Sequence, residues 1–298
     1  MRFIRTKATF AAMGLSLTLA ACGNAGDSDS EGRDVQAEEN AASQFEAGTK
    51  MKELADAGKI TVGVKYDQPG LGFKGANDDI PSGFDIEIAK LLVADLGIDP
   101  EDTSKVEYKE TISDNREPFL TAGEVDLVLA SYSITDERRQ EVGQAGPYFI
   151  TGQQLMVKKG SDIQSVDDIK GQDVCSVTGS TSLENVEAEG AKPRGFDTYS
   201  ECRDQVLDGA VDAMTTDGAI LLGYVALNPD ELEVVGEPFS EERIGVGYSK
   251  DSPEMCEWIN GVLEESFEDG SWAEAFELTL GKSGVETPEP PALDECQA

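Results

Sequence analysis

No histidine occurs among the 298 residues. Its absence excludes Ser-His-Asp and Cys-His catalysis, imidazole general bases and His-ligated zinc. Cations are scarce as well, with 24 Lys and Arg against 59 Asp and Glu and a formal net charge of −35 at pH 7. Such a surface repels phosphate backbones and anionic headgroups, which excludes nucleic acid as a partner. An anionic ligand could bind only where cations are deliberately gathered. Cysteines number five, none of them in a C-x-x-C pair, so redox and thiolate-metal sites are disfavoured. The length suits one large or two ordinary domains with a sizeable core.

The N-terminus is the most informative stretch. Arg2, Arg5 and Lys7 form a positive region, Ala8 to Leu19 is apolar, and Leu19-Ala20-Ala21-Cys22 follows. This is a secretory signal peptide over 1–22, too short in its apolar part to span a membrane. Losing its three cations takes the charge from −35 to −38. Residues 23–47 carry Gly, Ser, Ala, Asp and Glu with little that is apolar, and are expected to form a flexible acidic tether. Asp27, Asp29, Glu31, Gly32 and Glu38 have spacings near those of an EF-hand loop. However, the usual hydrophobic position holds Asp34 and flanking helices are lacking, so a plain linker is the better reading.

From Lys59 onward, strand-like and helix-like segments alternate. Ile60 to Val64, Val106 to Lys109 and Leu127 to Ala130 read as strands, with a helical apolar face over Ile86, Ile88, Ala89, Leu92 and Leu96. A second run has strands at Gln153 to Val157, Val174 to Val177 and Ala213 to Thr216, with helices between them. Helices are also predicted over Pro253 to Phe267 and Trp272 to Leu280, before an irregular tail. The rhythm is that of an α/β protein with parallel-type sheets. Apart from Cys22, the cysteines are Cys175, Cys202, Cys256 and Cys296, an even set that predicts two disulfides in an exported protein. Three pairings are open at this point.

Two resemblances sharpen this reading. Leu-Ala-Ala-Cys resembles the bacterial lipoprotein box in its Gram-positive form. It implies a diacylglyceryl anchor on Cys22, palmitate among its chains, at about 0.8 kcal/mol per buried CH₂. The protein would then stand on the outer face of the cell membrane. Further along, Gly83-Phe84-Asp85, Gly123-Glu124-Val125-Asp126-Leu127, Ser133-Ile134-Thr135-Asp136-Glu137-Arg138 and Gly209-Ala210-Val211-Asp212-Ala213 occur in order. Together with Tyr148-Phe149 and Gln153 to Ser161, they resemble the family-3 solute-binding proteins of polar-amino-acid ABC importers, glutamate-binding actinobacterial lipoproteins in particular. The likeness covers about 48–282.

The resemblance implies a two-lobed, type II periplasmic-binding-protein-like clamshell with two crossover strands. Lobe 1 would comprise 48–150 and 247–298, with lobe 2 at 151–246. Cys175 and Cys202 then fall in one lobe, and Cys256 and Cys296 in the other. Pairing them so leaves the hinge free.

It also implies a ligand set. Arg138 would grip an α-carboxylate with its guanidinium fork, aided by Ser131 and Ser133. Thr181, at a helix start, would add a donor or simply cap the helix. Asp217 would pair with the α-ammonium. Lys65, Ser113 and Arg116 match positions that hold a distal carboxylate, so glutamate is expected first, aspartate second, and glutamine or asparagine third. A histidine that serves some members here is missing.

No cofactor or metal is implied, and the expected partners are an amino acid, a membrane permease and the membrane itself through the lipid. A monomer suits a clamp. Competing readings are a dehydratase-like enzyme in the same cleft, which would need a general acid beyond the clamp residues, and a sensor or adhesion lipoprotein. The expected role is binding, not catalysis.

Overall fold

The computed structural model describes Arg33 and residues 35–296. The leader with Cys22, and Asp27, Asp29, Glu31 and Gly32 of the acidic stretch, lie outside the described residues. Helix α1 (Lys50–Ala57) is capped by Thr49, which accepts from Lys52 N. Then come β1 (Ile60–Val64), a small hairpin of β2 (Asp67–Gln68) and β3 (Gly72–Phe73), α2 (Phe84–Asp95) and β4 (Val106–Glu110). Next are α3 (Arg116–Thr121), β5 (Leu127–Leu129), α4 (Arg138–Glu141) and β6 (Gly143–Thr151). The second lobe holds β7 (Gln153–Lys158), β8 (Asp173–Val177), α5 (Thr181–Ala188), β9 (Lys192–Phe196), α6 (Tyr199–Asp208), β10 (Ala213–Asp217), α7 (Gly218–Leu227) and β11 (Leu232–Val235). The chain returns through β12 (Glu242–Tyr248) to α8 (Met255–Asp269) and α9 (Ser271–Leu278).

Two five-stranded sheets result, ordered β4-β1-β5-β12-β6 and β11-β7-β10-β8-β9. Neither is purely parallel. β1 runs parallel to β4 and β5, while β12 is antiparallel to β5 and β6. In the second sheet β8 is parallel to β9 and β10, and β7 is antiparallel to β10 and β11. The antiparallel members are those next to the two crossings. β12 pairs with β6 or β5 along most of its length, starting with Glu242 against Thr151. The return crossing therefore lies at 236–241, ahead of the expected 246/247 boundary. The first crossing turns at Gly152, where a Cβ would meet Pro238 Cβ and Ser240 O at 2.7 Å. The two hinge segments touch there, and only glycine fits.

Lobe 1 packs around α2, which is buried on almost every side because sheet and helices enclose it. Phe84, Ile86, Ile88, Leu92 and Val93 are fully buried. Phe84 meets Tyr148, Phe149, Trp272 and Phe276 edge-on at centroid distances of 5.5–6.0 Å. Trp272 donates to Tyr148 O at 2.8 Å, which satisfies its one donor. Gly83 opens α2 at φ 124, and a side chain there would run into the Leu71 backbone.

Both disulfides stay within a lobe. Cys175–Cys202 ties β8 to α6, and Cys256–Cys296 ties α8 to the tail, each with a Cα separation of 5.8 Å.

The stretch 35–47 departs from the tether expected over 23–47. Glu38 N donates to Ala94 O at 2.8 Å, Ala41 is 2% exposed, and Phe45 meets Trp258 edge-on. Single apolar anchors hold this segment to lobe 1, although it has no periodic apolar face. The tail is held as well: Asp294 pairs with Arg139 and Arg243, and its N–H donates to Gly146 O.

Candidate ligand-binding cleft

The predicted site residues converge at the strand ends of both sheets, where open α/β folds bind ligands. A small cavity is lined by seven of the eight: Ser113, Arg116, Ser131, Ser133, Arg138, Thr181 and Asp217. Lys65 is the exception. It follows β1, is 3% exposed, and donates to Ser113 Oγ at 2.9 Å from one layer behind. Burial, with the Arg116 charge nearby, pushes its ammonium down to about 7.

Arg116 is 2% exposed at the start of α3. Its Nε donates to Ser113 O at 3.0 Å, Nη1 to Ala130 O and Ser131 O at 3.3 Å, and Nη2 to Gly179 O at 2.9 Å. Little of its donor fork is left, so its contribution to a ligand is mostly charge. Burial and the Arg138 charge lower it to about 10.

Arg138 donates through Nη1 to Ser133 O at 2.7 Å and through Nη2 to Gly179 O at 3.0 Å, and its Nε pairs with Glu117 at 3.1 Å. One N–H on each terminal nitrogen remains, which suits a bidentate carboxylate. Both guanidiniums lie over the Tyr132 ring, with Arg116 Cζ 4.6 Å and Arg138 Cζ 4.9 Å from its centroid. Its hydroxyl donates to Glu117 at 2.7 Å. Gly179 O of lobe 2 thus accepts from both arginines of lobe 1, and the cleft is closed.

Ser131 takes the left-handed region at φ 46. That bend lets its N–H donate to Asp85 at 2.8 Å while its hydroxyl donates to Gln68 Oε1 at 2.5 Å. Asp85 is fully buried, also accepts from Tyr148 OH at 2.7 Å, and is raised by desolvation. Thr181 begins α5 and donates to Glu242 at 3.0 Å, so its hydroxyl proton is already used. The first amides of α5 have no intrahelical acceptor and remain the donors of this edge.

Asp217 ends β10 and is 5% exposed. Desolvation first, and the Glu242 charge second, push it up to about 8. Among the described residues, two buried side-chain atoms have no hydrogen-bond partner: Asp217 Oδ1 and Gln68 Nε2. Both residues line the cavity. Leaving such atoms unpaired is costly, and it marks where a ligand would pair. Gln68, with Ser180, Ser182 and Tyr199, was not expected from the sequence. Gln68 sits on a two-residue strand inside a Gly- and Pro-rich loop, where no periodicity signals it.

Two α/β lobes closed over a polar, charge-lined cavity define a type II solute-binding protein. The model of the bacterial extracellular solute-binding proteins, family 3, matches residues 60–281, and the chain belongs to that family. It is 39% identical over 285 residues to the glutamate-binding protein GluB of Corynebacterium efficiens, covering 92% of this chain and 90% of that one. It is 36% identical over 274 residues to the ABC transporter glutamine-binding protein GlnH of Bacillus subtilis, covering 91% and 94%. Among solved structures, an ancestral arginine-binding protein bound to glutamine is 40% identical, with a TM-score of 0.69 over 75% of this chain and 98% of that one. Among the described residues, no helix is long and apolar enough to cross a membrane.

Proposed function

We propose that this chain captures an acidic amino acid, L-glutamate first and aspartate second, and hands it to the permease of an ABC importer. One observation carries the reading. In a chain of net charge −35, Lys65, Arg116 and Arg138 are gathered at one buried cleft. In this reading the Arg138 fork takes the α-carboxylate and Asp217 Oδ1 takes the α-ammonium. The distal carboxylate meets Gln68 Nε2 and Ser113, with the charges of Lys65 and Arg116 behind. A neutral glutamine amide would leave those charges poorly compensated, which favours glutamate by a margin of several kcal/mol at most. The named relatives divide between glutamate and glutamine. The cation layer is what supports glutamate in this reading. Cys22 as lipid anchor, a monomeric clamp and work at the outer membrane face belong to the same proposal.

Calorimetric titration of residues 23–298 with glutamate, aspartate, glutamine and asparagine tests it. One glutamate per chain, bound at least tenfold tighter than glutamine, is expected. Equal affinities would remove the distal-carboxylate assignment.

A further inference from the structure

We propose that Asp67 is a positioning residue that holds lobe 2 closed on lobe 1, and so sets the affinity for every ligand without touching any. The proposal rests on the reading of this chain as a ligand-closing clamp.

An α-helix leaves its first amides without intrahelical acceptors. In α6, Thr198 Oγ1 accepts from Glu201 N at 3.3 Å and Thr198 O accepts from Cys202 N at 3.4 Å. The two remaining amides, of Tyr199 and Ser200, donate to Asp67 Oδ2 at 2.8 and 3.2 Å. Asp67 lies in the other lobe, on β2, paired with Phe73 of β3. The cap of a lobe 2 helix is therefore completed from lobe 1, by a carboxylate at the positive end of the helix.

A second lobe 2 helix converges on the same residue. Tyr224 on α7 donates its hydroxyl to Asp67 O at 2.5 Å. Beside it, the bare Cα of Gly223 faces the Pro69 carbonyl so closely that a Cβ could not fit without moving the lobes apart. Asp67, Gly223 and Tyr224 do not line the cavity. Opening the cleft must break these contacts, which turns the two α6 amides and the Asp67 carboxylate over to water. The latch thus biases the open and closed populations by an amount independent of what is bound.

The test uses Asp67→Ala, Asp67→Asn and Gly223→Ala in the full mature domain, titrated with glutamate, aspartate and glutamine, with small-angle scattering on the unliganded proteins. Asp67→Ala is expected to raise Kd by one common factor for all ligands, roughly 2- to 30-fold, the range for loss of a helix cap, and Gly223→Ala to raise it for all ligands alike through its clash with the Pro69 carbonyl. Asp67→Asn should fall between, since its amide oxygen still accepts but the charge is gone. Ratios between ligands should not move. A loss confined to one ligand would place Asp67 in recognition, and an unchanged Kd in folded Asp67→Ala would remove the latch. If wild type bound none of these ligands, the functional reading would fail separately. Scattering would then decide: a more open Asp67→Ala supports the latch, and a profile identical to wild type overturns it.

Discussion

The Lys65 ammonium donates to Ser113 Oγ at 2.9 Å with both side chains out of water. A charge one layer behind a cavity acts through the hydroxyl it orients and through its field, more than by contact. Lys65→Met is therefore expected to weaken glutamate and aspartate by about 10- to 100-fold, the cost of one uncompensated charged partner, and glutamine by far less. Titration of the three ligands against the variant checks this.

The pH dependence of binding should separate acidic from neutral ligands. An α-ammonium needs Asp217 ionised, and that group stands near 8 when the site is empty. Affinity for any amino acid should rise with pH up to about 8, by as much as tenfold per unit. A distal carboxylate needs Lys65 charged, and its ammonium stands near 7. Glutamate affinity should thus rise to pH 7, level off, and fall above 8, while glutamine affinity rises to 8 without that fall. Lys65→Met should abolish the falling limb for glutamate.

Asp217→Asn should abolish binding and still stabilise the empty protein. The folded pKa of Asp217 lies near 8, above the ordinary 3.8. The folded state therefore binds an extra proton between those values, and its stability falls as pH rises through them. The variant escapes that loss, so its gain should be absent below pH 4 and greatest above pH 8. Thermal melts should show a Tm gain over wild type that is largest at pH 8 and above and vanishes below pH 4.

Arg138→Lys should reduce affinity for every amino acid by about 100-fold, since an ammonium cannot present two parallel N–H donors. Arg116→Lys should instead lower stability, because four carbonyl contacts depend on that fork. Paired binding and melting measurements distinguish the two arginines.

Replacing Cys175 and Cys202 by serine should cost about 2–4 kcal/mol of stability. Because that bond lies wholly in lobe 2, ligand selectivity should be unchanged.

The fold was readable because the phrases that carry the family resemblance are contiguous, and that resemblance in turn implied the disulfide partners and a ligand set. Ser133 to Arg138 is such a phrase, and Asp217 ends a buried strand. Gln68 was not readable, since its importance comes from an unpaired amide that only the Ser131 bend reveals. The retreat of Lys65 behind Ser113 depends on side-chain reach, which spacing does not encode. Strand β9 was missed because Pro193 and an exposed Lys-Pro-Arg-Gly run argue against a strand, yet an edge position tolerates both. The packing of 35–47 was hidden for a related reason: Ala41 and Phe45 are isolated anchors, and isolated anchors make no pattern.

The described chain enters and leaves through lobe 1, held at one end by Phe45 on Trp258 and at the other by Cys256–Cys296. Mechanically, lobe 2 is a loop inserted into lobe 1 and carries neither end of the described chain. A tug applied between the two ends would run through α8 and the first sheet and leave the hinge unloaded. Fluorophores placed at 45 and 296, both held to lobe 1, would likewise keep their separation while the cleft opens. A reporter of closure has to be placed inside the sequence, with one label in 153–235.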